Sequence, residues 1–168
     1  MIKFQRITTK DATLYNYMEQ LMTASFPSEE YRPLEELRNY TDTKTHFYCN
    51  IILHHDTPVG FITYWDFGHF YYVEHFAIDP SLRNGGHGKN VLNHLCQQLN
   101  KPIILEVEMP EEGMAIRRIN FYKRHGFTLW EKPYMQPPYK VGDNYLPMLL
   151  MAHGDLECEK DFEQVKKC

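Results

Sequence analysis

Phe76-Ala77-Ile78-Asp79-Pro80-Ser81-Leu82-Arg83-Asn84-Gly85-Gly86-His87-Gly88-Lys89 is the stretch whose reading decides the fold. An apolar run closes at Asp79-Pro80, glycines cluster at 85, 86 and 88, and Val91, Leu92, Leu95, Cys96 and Leu99 then recur at helical spacing. This is a strand, a glycine loop and a helix predicted over Gly86–Leu99. Such a junction suits an anion: the first helical turn offers unpaired backbone N–H groups and the positive end of the helix dipole, and glycines let phosphate oxygens come close. Arg83 and Lys89 add positive charge. A Walker A loop is excluded, because Arg83 stands where glycine is required and Asn90 where a magnesium-binding hydroxyl should be. A dinucleotide fingerprint also fails, since Val91 occupies a small-residue position and no early parallel βαβ unit surrounds it.

Working outward, Ile2–Ile7 alternates as a strand, and Leu14, Met18, Leu21 and Met22 mark a helix over Asp11–Phe26. Pro33 suits the first turn of a second helix, Leu34–Tyr40. Three strand-like runs follow without an intervening helix, His46–His55, Val59–Phe67 and Phe70–Ile78, as an antiparallel meander. After the glycine loop come a strand Ile103–Glu108, a helix Met114–His125 capped by Gly126, and strands Phe127–Glu131 and Leu146–Met151. The order βα(α)βββαβαββ predicts an α+β fold: a mixed, mostly antiparallel sheet of about seven strands with four helices packed on it. One domain over residues 1–152 and a polar tail over 153–168 are expected, because charged residues replace the apolar pattern near Gly154.

The 168 residues fit the range of about 100–200 for one domain. With 43% hydrophobic and 24% charged residues the chain is neither disordered nor fibrous. Eighteen basic against twenty-two acidic side chains leave a formal charge of −4, which disfavours nucleic acid as a partner. No apolar run reaches the roughly 18–20 residues of a membrane span, so no membrane partner and a cytoplasmic location are expected. Cys49, Cys96, Cys158 and Cys168 are scattered and read as reduced thiols. The nine histidines show no ligand spacing, and no metal is expected.

Arg83-x-x-Gly86-x-Gly88, directly behind the strand ending at Asp79-Pro80, resembles the GNAT superfamily of acyl-CoA-dependent N-acyltransferases. Three fixed residues in six positions recur by chance. The preceding strand, the helix starting at the glycines and the later block Leu105-Glu106-Val107, Ala115 and Phe121-Tyr122-Lys123-Arg124-His125-Gly126-Phe127 are separate requirements that are also met. The resemblance spans about Met1–Met151; where the family often has an asparagine three positions before the alanine, this chain has Glu112. It implies acetyl-CoA as acyl donor, with Arg83, Asn84, Gly85, Gly86, His87, Gly88 and Lys89 around the pyrophosphate and the backbone of Phe76, Ala77 and Ile78 pairing with pantetheine. It further implies transfer of acetyl to a primary amine by direct attack in a ternary complex; a small polyamine, an amino sugar, an amino acid and a protein N-terminus stay open as the acceptor, and the negative net charge favours a small-molecule cationic amine. A non-catalytic acyl-CoA sensor is the alternative.

Such a reaction needs a base, an oxyanion donor and an acid for the leaving thiolate. The resemblance makes Tyr122 the acid, a phenol able to give its proton to sulfur, the alternative being a core aromatic. The resemblance assigns the oxyanion to a backbone N–H in Phe76–Ile78. Glu74 is the candidate base: in a regular strand it alternates onto the face of Tyr72, Phe76 and Ile78, among aromatics that would desolvate it. Glu106 is held in reserve, and His75 should face the other way as a structural residue. Phe26–Arg32, with Glu29 and Glu30, and Pro133–Tyr139 should border the acceptor. Pairing of two copies along a C-terminal strand edge is compatible with the pattern.

Overall fold

A computed structural model describes residues 1–166, excluding the side chains of Arg83, Asn84, Gly85 and Pro133; Cys168 lies outside the described residues. Seven strands form one sheet in the order β1-β2-β3-β4-β5-β7-β6. These are β1 (Ile2–Arg6), β2 (Phe47–His54), β3 (Thr57–Asp66), β4 (Tyr71–Ile78), β5 (Ile103–Glu108), β6 (Thr128–Gln136) and β7 (Leu146–His153). Each neighbouring pair is antiparallel except β4–β5. The expected mixed, mostly antiparallel sheet is therefore present.

The helices are α1 (Ala12–Ser25), α2 (Leu34–Thr43), α3 (His87–Gln98), α4 (Gly113–Arg124) and α5 (Cys158–Lys166), one more than expected. Alternation along the strands assigns their sides. Ile52, Ile103 and Leu105 pack with Val91, Leu92 and Leu95 of α3 and Ile119 and Tyr122 of α4. Their neighbours Ile51 and Leu53 point the opposite way, onto Met18 and Met22 of α1 and Leu37 of α2. Ile104 and Leu150 join Trp130 with Phe162 and Val165 of α5 on that same second face. In the tail, two apolar residues one turn apart suffice to seat a charged helix, a pattern too short to stand out in sequence. No helix among the described residues is long and apolar enough to cross a membrane.

Two local features position the site. Gly126 (φ 90°) ends α4: its N–H reaches Lys123 O at 3.2 Å, the Phe127 N–H reaches Tyr122 O at 3.1 Å, and the Phe127 ring lies 5.5 Å from that of Tyr122. Crossed bonds plus an apolar contact make a Schellman cap, which fixes the turn carrying Tyr122. In β6, the pairs Trp130↔Leu150 and Tyr134↔Met148 leave three residues against one in the partner strand. Pro133 falls in that irregularity of an edge strand, where a missing N–H costs no ladder bond, so the segment read as a stiff connector is partly strand.

Gly60 of β3 lies close against β4, where a Cβ would overlap the Ala77 carbonyl oxygen. Gly60→Ala is expected to destabilise the fold by about 2 kcal/mol or more. Thermal unfolding checks this, at roughly 2–4 °C per kcal/mol for a chain of this size; an unchanged midpoint would contradict it.

Candidate active site

β4 and β5 pair only through Tyr71↔Ile103, Tyr72↔Ile104 and Val73↔Leu105. Beyond Val73, β4 continues with β3 as far as Ile78, and β5 continues with β7 as far as Glu108. The two strands thus diverge and split the sheet. A cavity of about 310 Å³ occupies the split, walled by β4 residues Glu74 to Ile78, by Glu106 and Glu108 of β5, and by Phe121 and Tyr122 of α4. Gly88, in the first turn of α3, reaches the same cavity.

A register shift between β3 and β4 accompanies the split. Thr63 pairs with His75 and Tyr64 with Val73, so Glu74 is an extra residue in β4, a β-bulge. Side-chain parity reverses across it: Tyr71 and Val73 pack toward α3 and α4, but beyond the bulge Phe76 and Ile78 do so. The expectation that Glu74 shares one regular face with Tyr72, Phe76 and Ile78 is therefore corrected, since Tyr72 packs with the α5 side. The His75 N–H donates to Thr63 Oγ1 at 3.1 Å, toward β3. One residue on, strand alternation turns the Phe76 amide into the split.

Glu74 does not stand alone among aromatics. Its side chain is 3% exposed and ion-paired to the Arg32 guanidinium, which also lies 3.6 Å from Glu36. Arg32 in turn sits over the rings of Tyr40 (4.8 Å), Tyr139 (5.2 Å) and Trp65 (5.8 Å). Glu106 is a second, largely buried carboxyl on the cavity wall, accepting hydrogen bonds from Tyr72 OH and Gln136 Nε2. Burial pushes its pKa up to about 7, with the Glu74 charge adding to the rise and the Tyr72, Gln136 and Tyr134 hydrogen bonds opposing it. A carboxyl so placed exchanges a proton near neutrality.

Tyr122 is buried, and desolvation pushes its phenol up to about 12, so it stays protonated and able to donate. His75 Nε2 lies 2.7 Å from the Glu30 carbonyl, an acceptor, so that nitrogen carries the proton; burial lowers the ring's pKa and keeps it neutral. His75 thus ties the turn after α1 to β4, the structural role expected. Its Nδ1 nevertheless lies 4.0 Å from Glu74 Oε2, a consequence of the bulge. Of the acidic pair read beside the acceptor, Glu30 reaches the cavity and Glu29 is exposed.

At the glycine loop, a short 3-10 turn spans Pro80–Gly85, with the Asp79 carboxylate accepting from Ser81 N at 3.0 Å and Ser81 Oγ at 2.8 Å. Gly86 caps α3 at φ 75°, a left-handed conformation that disfavours other residues. The first intrahelical bond it receives comes from Asn90 N at 3.3 Å. Among the described residues, His87, Gly88 and Lys89 carry the first-turn amides that have no intrahelical acceptor. The side chains of Arg83, Asn84 and Gly85 lie outside the described residues. Among the described residues, no cluster of histidine, cysteine and carboxylate side chains could hold a metal ion.

Residues 12–127 match the acetyltransferase (GNAT) family. A solved structure assigned to the GNAT acetyltransferases, from Bacteroides thetaiotaomicron, shares 63% identity over 98% of this chain and 94% of its own, with a TM-score of 0.97. The chain belongs to the GNAT family of acetyltransferases. The ribosomal-protein-S18-alanine N-acetyltransferase of Escherichia coli shares the fold at 19% identity, with a TM-score of 0.63 over 91% of this chain and 93% of its own. A spermidine N-acetyltransferase chimera from Vibrio cholerae does so at 14% identity, with a TM-score of 0.63 over 90% and 94%. No curated protein gives a significant match.

Proposed function

We propose that the protein transfers an acetyl group from acetyl-CoA to a small primary amine by direct attack within a ternary complex. The observation that carries this is the split between β4 and β5, which sets Glu106, the Phe76 amide and Tyr122 around one cavity. The orphan amides of His87, Gly88 and Lys89, with Asn84, Gly85 and Gly86 before them and the Arg83 charge, bind the pyrophosphate of the donor. The freed edge of Phe76, Ala77 and Ile78 pairs with its pantetheine arm.

The amine nitrogen attacks the thioester carbon: the N–C bond forms, its proton passes to Glu106, and the carbonyl oxygen charge is held by the Phe76 N–H. As the C–S bond breaks, Tyr122 gives its proton to sulfur. The products are the acetamide and the free thiol. Glu74, first choice as base from sequence, is tied up in its ion pair with Arg32, whereas burial, with a smaller contribution from the Glu74 charge, raises Glu106 into the range of a base.

Thermal unfolding with acetyl-CoA, using adenosine as control, tests the donor site. Ligand at 100 times its dissociation constant adds about 2.7 kcal/mol, a rise of several degrees. Acetyl-CoA is expected to raise the midpoint and adenosine to leave it unchanged; no shift at saturation would remove the reading. Thiol release on adding amines then separates an enzyme from a non-catalytic sensor.

A further inference from the structure

A second cavity, of about 470 Å³, lies on the face that α2 and α5 cover from opposite sides. It meets the first at Tyr72, Glu74, Glu106, Gln136 and Tyr139, which line both. A molecule in the second cavity therefore presents one end to the carboxyl and thioester region. Resting on the transferase reading above, the geometry points to a specific acceptor: a monoamine whose single amino group sits on a flat, apolar, aryl-alkyl body.

Three features carry this. The first is a polarity gradient. Polar groups gather at the junction of the cavities, whereas Phe70, Ile104, Leu150 and Val165 line the remainder toward α5, with the exposed Lys166 beside them. An acceptor with its amine at one end and an apolar body at the other buries both in matching surroundings.

The second is shape. Trp65 and Phe67 stack with centroids 6.0 Å apart and planes 8° apart, and Phe67 and Tyr72 with 6.2 Å and 26°. These near-parallel rings form one wall of the cavity. A flat ring can extend such a stack in offset contact, which a flexible polar chain cannot.

The third is the charge count. Arg32 places a fixed cation in the cavity wall and takes up Glu74 and Glu36, and Lys166 adds a second cation. Glu106 has no cationic partner among the described residues. Within the second cavity one carboxyl is thus left for one ammonium, and a second ammonium lying along this cavity would meet Arg32 or Lys166. The Lys140 ammonium pins the β6–β7 connection to the carbonyls of Ser28 and Tyr31, the latter at 2.8 Å, beside this site. A closed flank of this kind favours a small molecule over an extended peptide.

The experiment compares 2-phenylethylamine, ethylamine, spermidine and a short peptide with a free alanine N-terminus, by thiol release and product mass with saturating acetyl-CoA. 2-Phenylethylamine is expected to exceed ethylamine in kcat/KM by roughly tenfold or more, from ring burial and stacking, and to exceed spermidine and the peptide. Phe67→Ala is expected to shrink the phenylethylamine-to-ethylamine ratio severalfold. Preference for spermidine or the peptide, or a ratio untouched by Phe67→Ala, overturns the inference while leaving the transferase reading intact. If acetyl-CoA binds but no amine is acetylated, the transferase reading falls. The indole N–H resonance of Trp65 in the CoA-bound protein then decides the site by itself: saturable movement with 2-phenylethylamine upholds it, and no movement removes it.

Discussion

Tyr122→Phe is expected to lower kcat by roughly 10²–10⁴-fold, the usual worth of a positioned general acid, while the thermal shift given by acetyl-CoA is retained. The phenol is buried and pushed up to about 12, so it holds its proton until the departing sulfur demands one. Its placement owes nothing to the hydroxyl: the Schellman cap at Gly126 and the rings of Phe121 and Phe127 fix the side chain. Phenylalanine should therefore keep the wall and lose only the proton. Unchanged turnover would return Tyr122 to the role of a core aromatic.

Glu106→Gln is expected to cost a comparable factor and to remove a pH dependence that the wild type shows. With the carboxyl pushed up to about 7, kcat at saturating amine should rise with pH and level off above that midpoint. Stability runs the other way. A carboxyl whose pKa moves from 4.5 in the unfolded chain to about 7 in the folded one binds a proton only in the folded state across that interval. Its contribution is full below about 4.5 and is lost as pH rises through about 7. Glu106→Gln should flatten both trends, and unfolding and rate profiles over the same buffers check them together. If Glu74→Gln removes the rate midpoint and Glu106→Gln keeps it, the base is Glu74.

Period, caps and turn residues report on a few neighbouring positions, and whatever depended on them was legible: the element order, the mixed sheet, the glycine loop opening α3, and the Gly126 cap that sets Tyr122. Glu106 was visible as a carboxylate on the right strand, but nothing along the chain ranked it above Glu74. Ranking needed Arg32, forty-two residues from Glu74, to arrive and neutralise it.

The bulge marks the boundary most clearly. Strand alternation is a rule of period two, and a single extra residue in β4 relative to β3 reverses it; only the pairing of Thr63 with His75 reveals the extra residue. From that follow the changed outlook of Phe76 and the approach of His75 to Glu74, none of it written in β4 by itself. The tail behaved likewise. Phe162 and Val165 mean little in a charged stretch until Trp130 and Leu150 from distant strands offer a surface to bury them. Local sequence therefore determined the family, the elements up to β7 and the glycine loop proposed to hold the donor, because these rest on backbone geometry and short-range period. The split in the sheet, the proposed choice of Glu106 as base and the aromatic cavity on the second face came from tertiary structure, because strand register, ion pairs and ring stacks between distant residues exist only after the strands have paired.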